Sequence, residues 1–443
     1  MTRVLAVDVG SSSVRAQVFD ERAEPVDELR QERYGGSDPD EIVELVRSAI
    51  DGRDDDVDAV GSSCFGHSLL ALDGRGKPLT ELLGWRDTRS APAVEWLERR
   101  LDPVVIHART GCHLHPSYWL AKLAWLSQDE PEVARAARRY VSIGEYLALR
   151  LHGDAPRMSL STASTTGLLD LATCAWDPEL LSLLGLEEER LPEISDEPHA
   201  GNWYPSWFDG ACSNLGAACV GRDRAALMVG TSGALRVVYE TEQPQPRAGL
   251  FLYRVDERRV VEGGALSDGG NLYAWIEETL APSDGSLADR DPDSHGLTFL
   301  SLLGGERSTG WDASRTGAVA GLTFATTTLD LRQAALEGVA FRFAEVADLL
   351  PELEHVVATG GGLLKDPDWI QITADALGRP IEASTVAEAS LRGAAVRALE
   401  RLGIEPPPPE PGRVFHPRAD RADAYRSARE RQRRLYDATR EWP

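Results

Sequence analysis

Two bursts of alternating apolar and polar positions, about 220 residues apart, are interrupted in the same way. The first, residues 4–19, reads VLAVDVGSSSVRAQVF; the second, residues 227–239, reads LMVGTSGALRVVY. Each is an apolar strand, a cluster of Gly, Ser and Thr, and a second apolar strand. A hairpin built this way turns backbone N–H groups and small hydroxyls toward one point, which suits a phosphate. One copy in each half predicts a duplicated fold that grips a nucleotide's phosphates from both sides.

The remaining pattern fills in around these hairpins. Residues 57–62 and 68–72 read as strands, and residues 39–50 (PDEIVELVRSAI) as a helix. Helical spacing dominates from 91 to 151, with segments at 93–100, 118–126 and 131–138, the last opened by Pro131 at a first helical position. Residues 161–171 are small and turn-like. In the second half, 249–261 reads as a hairpin, 271–280 as a helix, and 330–349 as a long amphipathic helix stopped by Pro351. A strand at 355–359 runs into Gly360-Gly361-Gly362, and helices follow at 368–377, 389–402 and 419–439, with a rigid Pro-rich linker at 406–411. Strand–strand–helix–strand order recurs in both halves. It predicts an α/β protein with the two-domain actin/hexokinase-like (ribonuclease H-like) fold and an interdomain cleft. The domains are expected at 1–220 and 221–443.

Composition narrows the chemistry. A chain of 443 residues exceeds one ordinary core. A net charge of −24 argues against nucleic acid or an anionic membrane surface as partners, since both require a basic face. Lysine occurs only at 77, 122 and 365, with arginine in its place. The five cysteines are scattered, an aspartate already stands at position 8, and no apolar run reaches membrane-span length. A cytoplasmic setting is expected. Cys64 with His67 and Cys112 with His115 have C-x-x-H spacing, but a zinc site needs about four converging ligands, so these read as buried thiols.

Several motifs carry chemistry. Asp8-Val9-Gly10-Ser11-Ser12-Ser13 follows a strand directly; the glycine admits phosphate, the serines donate, and Asp8 suits a hydrated Mg²⁺. A polar hairpin without ligand has the same residues. Gly230-Thr231-Ser232-Gly233 is its partner. Thr359-Gly360-Gly361-Gly362 leaves a surface without side chains for a purine or phosphate, or else a flexible turn. Gly84-Trp85-Arg86-Asp87-Thr88-Arg89 combines a fork donor, an acceptor and an aromatic face, as polyol recognition requires; a salt-bridged surface turn is the alternative. Phe65-Gly66-His67-Ser68 ends a strand. Asp209, in WFDGACSN, is either a base for a hydroxyl proton or a helix N-cap.

The ordered set of these motifs resembles the FGGY carbohydrate kinases, and among them the gluconokinase-like group. The resemblance spans essentially the whole chain: DVGSSSVRAQVFD, FGHSLLALDGRGKPL with GWRDTRS, RTGCHLHPSYWLAKLAWL, SIGEYLALRLHG, SLSTASTTGLLD, DGACSNLGAACVG, MVGTSGALRVV, GERSTGW, GAVAGLTFATTTLDLRQAALEG and TGGGLLKDPDWIQITADALGRPI. Residues 317–337 are the most specific. The resemblance implies a kinase that uses Mg·ATP to phosphorylate a terminal hydroxyl of a small sugar or sugar acid, with gluconate favoured. It implies Asp209 as general base and Asp8 as the organiser of Mg²⁺. Gly10, Ser11, Ser12 and Ser13, with Gly230, Thr231 and Ser232, would clamp phosphates, and Gly360, Gly361, Gly362 and Leu363 would face the adenosine. His67, Trp85, Asp87 and Arg89 would stand at the sugar end, with His115 and Tyr118 beside them. A homodimer is compatible with the resemblance. Gluconate would need a cationic or N–H-rich corner, for which Arg89 and His67 are the candidates.

Two departures stand out. Phe208 occupies a position that is usually glycine in the family, and the approach to Asp209, residues 195–205, is short. Part of the strand layer there is expected to be missing or rerouted, with the sugar pocket narrowed. Xylulose, ribulose and glycerol remain alternative acceptors. A degenerate member that binds without transferring phosphate is the second reading, and an actin- or chaperone-like ATPase the third.

Overall fold

Residues 4–19 form the hairpin that their pattern predicts. β1 (Arg3–Val9) pairs antiparallel with β2 (Ser13–Asp20). β3 (Arg30–Arg33) extends the sheet beyond β2, β4 (Ala59–Cys64) lies parallel to β1, and β5 (Trp207–Phe208) parallel to β4. The order is β5-β4-β1-β2-β3. The second hairpin is β6 (Gly221–Val229) with β7 (Gly233–Glu240), followed by β8 (Phe251–Arg254), β9 (Arg259–Leu266), β10 (His355–Thr359), β11 (Ile381–Ala383) and β12 (Val414–Phe415). Its order is β8-β9-β7-β6-β10-β11-β12. The run β9-β7-β6-β10-β11 repeats the first sheet strand for strand, antiparallel on one side of the central hairpin and parallel on the other. The duplication suggested by two short motifs is therefore a duplication of whole sheets. The computed structural model describes residues 2–153, 157–199, 201–280, 285–287 and 290–440.

Six of the seven β1 residues are buried, as for a strand with helices on both faces. α1 (Pro39–Ile50) starts where Asp38 accepts from the Asp40 N–H and proline takes the first turn; it buries Ile42, Val43 and Val46. α2 (Ile143–His152) opens with a Ser142/Glu145 capping box. α3 (Asp209–Gly216) follows β5 without a loop. α4 (Thr328–Asp348) has a Thr327/Asp330 capping box and crosses the second core. The stretch at 161–171, expected as a turn, holds a short helix (Leu160–Ser164) and a short strand (Leu169–Asp170).

One helix does not keep to its own half. α5 (Ala389–Arg401) lies on β1, β4 and α3. Leu391, Ala394, Ala395, Ala398 and Leu399 share a core with Val4, Ala6, Trp207, Ala211, Cys212 and Leu215. The approach is close enough that a β-carbon on Gly393 would collide with the Cys212 carbonyl, and one on Gly61 would come within 2.5 Å of the Ala394 carbonyl. The same core takes in Ala234, Val238, Phe251 and Tyr253 of the second sheet. Among the described residues, no helix is long and apolar enough to cross a membrane.

Candidate active site

Asp8, the penultimate residue of β1, is buried, with one carboxylate oxygen accepting from Ser63 Oγ and the other from Arg15 Nη1 at 2.9 Å. Burial raises its pKa; the Arg15 charge and the Ser63 and Arg15 hydrogen bonds oppose that. Arg15 also reaches Glu388, 3.2 Å away, just before α5. The turn that follows closes through Gly10 N–H to the Ser13 carbonyl at 3.0 Å. In the second hairpin Gly230 N–H donates to the Ser232 carbonyl at 3.0 Å, and Gly270 and Asn271 N–H groups donate to the Gly230 and Thr231 carbonyls. Gly360 leaves β10 at φ 84, a left-handed conformation, and a β-carbon there would stand 2.6 Å from the Val229 carbonyl. Gly360–Gly362 and Leu363 are thus brought against the Gly230 hairpin, while Ser11, Ser12 and Ser13 lie on the other sheet.

Asp209 is the first residue of α3. Phe208 is its N-cap and has no capping side chain, so Asp209 is not the N-cap of the alternative reading. Asp209 is half-buried and opens into a cavity of about 60 Å³ that it shares with Phe65, His67, Trp85, Ser232, Arg236 and Arg307. Burial pushes its carboxyl up to about 7, the Arg236 charge pulls the other way, and Asp8 raises it further.

Phe208 fits because its neighbours are small. Its ring lies between Gly66 and Gly210; a β-carbon at Gly66 would come within 2.9 Å of it, one at Gly210 within 2.5 Å. Its N–H donates to Ser161 Oγ at 3.2 Å. The strand layer expected to be missing is present in reduced form: the two residues of β5 and a single bridge between Val60 and Trp203.

His67 sits at φ 66, an uncommon conformation for a non-glycine residue. Its Nδ1 hydrogen-bonds the Thr165 carbonyl at 2.7 Å. Burial, then the Arg307 charge, drives its pKa well below the ordinary value. The ring is therefore neutral, with Nδ1 the donor and the Nε2 lone pair able to accept. The buried Lys122 ammonium donates to the His67 carbonyl at 2.6 Å and to the Leu83 carbonyl at 3.2 Å, tying together the two segments that carry His67 and Trp85.

Tyr118 stands behind the cavity, its hydroxyl 2.7 Å from that of Tyr253 and its ring edge-on to His67 at 5.0 Å. His115 Nε2 reaches the Glu306 carbonyl at 3.2 Å across the two halves, and burial lowers its pKa to about 3. Trp85, Asp87, His115 and Arg307 line an outer cavity of about 210 Å³. Asp87 and Arg89 are paired with each other, at 3.0 and 3.1 Å, and Arg89 also bonds Glu81 at 2.7 Å on the exposed surface. Neither cationic candidate offers a free charge: Arg89 is spent on two carboxylates and His67 is neutral. The cations facing the cavities are Arg86, from the GWRDTR motif, and Arg236 and Arg307, which no motif spacing marked although they lie within GALRVV and GERSTGW.

All five cysteines are free thiols, four of them buried. Among the described residues, no metal-type cluster includes a cysteine; the one present joins Asp293, His295 and Glu337.

Comparison with known proteins agrees with this arrangement. The N-terminal domain of the FGGY family of carbohydrate kinases matches residues 3–207, and its C-terminal domain matches residues 225–400. The gluconokinase of Bacillus licheniformis is 28% identical over 90% of this chain and 88% of its own. A glycerol kinase of Leptothrix cholodnii is 28% identical over 94% and 95%, respectively. Among solved structures, the gluconate kinase of Lactobacillus acidophilus superposes with a TM-score of 0.89 at 26% identity, covering 100% of this chain and 99% of that one. The xylulose kinase of the same organism gives 0.90 at 26%, with the same coverage. With both domains matched in order around one cleft, the chain belongs to the FGGY family of carbohydrate kinases, phosphotransferases with a hydroxyl acceptor.

Proposed function

We propose that this protein transfers the γ-phosphoryl group of ATP to the terminal hydroxyl of gluconate, giving 6-phosphogluconate. The observation that carries the reading is Asp209: a carboxylate at the start of a helix, lifted to about 7, opening into a cavity beside His67 and Trp85. A base of that pKa takes a hydroxyl proton at neutral pH and contributes about 10²–10⁴-fold. The likeness to a gluconokinase and to a gluconate kinase supports gluconate among the acceptors.

In this reading Asp209 accepts the proton as the hydroxyl oxygen attacks the γ-phosphorus. Neutral His67 accepts a hydrogen bond from a sugar hydroxyl through Nε2, and Trp85 packs a carbon face. The hairpins at Gly10–Ser13 and Gly230–Ser232 hold the phosphates through N–H groups and hydroxyls, and Gly360–Leu363 faces the adenosine. The Asp8 carboxylate, buried at the phosphate hairpin and held by Arg15 and Ser63, offers the hard oxygen that a hydrated divalent cation takes. Asp8 would hold Mg²⁺, which when bound offsets phosphate charge. Positioning and electrostatics then supply most of the rate.

The test is ADP release with gluconate, xylulose, ribulose and glycerol. Gluconate is expected to give the highest kcat/KM. Xylulose or glycerol in first place would transfer the reading to a ketopentose or polyol kinase, and no stimulated release from any of them would favour a binding protein without transfer. The seating of Phe208 between two glycines supports the catalytic reading over the degenerate one.

A further inference from the structure

Trp85 is flanked by two guanidinium groups, one from each half of the chain. The Arg86 Cζ lies 4.7 Å from the ring centroid and the Arg307 Cζ 4.9 Å. Both line the outer cavity of about 210 Å³, and Arg307 and Trp85 also line the inner one beside Asp209. Neither cavity alone reaches the roughly 300 Å³ of an ordinary small-ligand site; joined at Trp85 and Arg307 they approach it.

No carboxylate among the described residues holds either arginine. Arginines elsewhere in this acidic chain, such as 259, 342, 397 and 418, are held by carboxylates. Among the described residues, the side chains of Arg86, which is exposed, and Arg307, which is half-buried, make no hydrogen bond or ion pair, and the buried Nε of Arg307 has no partner; Arg236 in the inner cavity is likewise unpaired, but it faces the Asp209 carboxyl. Tyr118, Tyr253, His67, His115 and Asp209 all stand close enough to feel the Arg307 charge, yet none holds it. Several other polar groups around the outer cavity are committed: Asp87 to Arg89, Ser117 to His115 and the Trp85 carbonyl, and Asn271 to Gly269, Leu272 and Ser267. A desolvated guanidinium without an anion, as at Arg307, is costly, and the fork geometry of both arginines matches a carboxylate.

We propose that Arg307 and Arg86 are the specificity-determining residues that seat the carboxylate of a sugar acid. The acid extends along the Trp85 face, with its far hydroxyl at Asp209 in the inner cavity and its carboxylate in the outer one. This rests on the gluconate reading above and adds what enforces it. The two cations come from opposite halves, so an acid substrate also fastens the cleft shut, which a neutral polyol of the same length does not.

The experiment compares D-gluconate with D-glucitol, the same carbon chain with a neutral end, in wild type, Arg307→Met, Arg307→Lys and Arg86→Met. Turnover is measured by ADP release, and binding without nucleotide by calorimetry. In wild type the acid is expected to exceed the alditol in kcat/KM. In Arg307→Met the ratio falls about 10- to 100-fold, chiefly through KM for the acid. Arg86→Met lowers it less, and Arg307→Lys recovers part of the loss. A ratio within threefold of wild type in both methionine variants overturns the proposal, as does a wild type that prefers glucitol. If the variants lose ATP affinity instead, with the ratio unmoved, the pair serves the nucleotide and the proposal fails. Gluconate binding that depends on Arg307 without any turnover upholds the carboxylate seat while removing the kinase reading. Thermal unfolding of each variant separates misfolding from lost recognition, with Arg307→Lys as the conservative control.

Discussion

Gly210 and Phe208 contend for one volume: a β-carbon on Gly210 would stand 2.5 Å from the Phe208 ring. The residue that follows Asp209 therefore sets how closely the aromatic ring can pass its carboxyl. Gly210→Ala is expected to displace either the ring or the start of α3. Overpacking of this kind costs about 1–3 kcal/mol. Thermal unfolding is expected to show that loss together with a fall in kcat/KM. Adding Phe208→Ala to Gly210→Ala restores part of both; no recovery in the double variant would show that the ring is not what Gly210 accommodates.

Asp209→Asn removes the base but keeps the shape. Turnover is expected to fall about 10²–10⁴-fold with ATP affinity retained in calorimetry. The variant gains stability at the same time. With the folded pKa near 7 and the unfolded value near 3.8, the folded chain binds more protons in that window, so this carboxyl costs stability as pH rises from about 4 to about 7. At pH 8 the asparagine variant is expected to be more stable by on the order of 2–4 kcal/mol. Near-native turnover would end the assignment of Asp209 as base.

The pH profile carries a second prediction. In wild type kcat/KM is expected to rise about tenfold per unit on the acid side and level off above about 7, as Asp209 loses its proton. Buried Arg236 is the principal charge opposing that rise in pKa. In Arg236→Met the acid limb moves toward higher pH, whereas Arg236→Lys holds it nearer to wild type. A limb unmoved in Arg236→Met would show that Arg236 does not tune the base.

Lys122→Met leaves the His67 and Leu83 carbonyls without their donor. A loss of about 1–3 kcal/mol is expected in denaturant unfolding. Burial lowers this ammonium to about 7. The unfolded chain then binds the extra proton between about 7 and 10.5, so wild-type stability receives a rising contribution from Lys122 across that range. The methionine variant loses that contribution, and equal slopes in the two proteins would contradict the assignment.

Much of this was legible in the sequence because local chemistry repeats. The two Gly/Ser/Thr hairpins, the Pro39 and Pro131 helix starts and the long helix ending before Pro351 are each set by residues within a few positions. α2 falls inside the helical stretch read at 91–151, but its own bounds were not legible, because its first six residues are all buried and no polar stripe marks them; the Ser142/Glu145 capping box was the signal available. Arg236 and Arg307 escaped for another reason. An arginine in a strand or a turn reads as an ordinary charged residue until the fold removes its partners. Arg89 shows the converse, since the acidic neighbours that made it look like a recognition residue are the groups that occupy it.

The seating of α5 on the first sheet sets the order in which the chain can mature. By the time β5 leaves the ribosome, every strand of the first sheet exists, yet one face of β1 and β4 has no cover until residues 389–401 are made. At ordinary elongation rates of about 5–20 residues per second, that wait lasts about 10–40 s. During it, the apolar faces of β1, β4 and α3 stay open to chaperones and to wrong partners. The helix that carries Asp209 reaches its final packing among the last steps of synthesis, so catalytic competence itself reports that almost the whole chain has been completed.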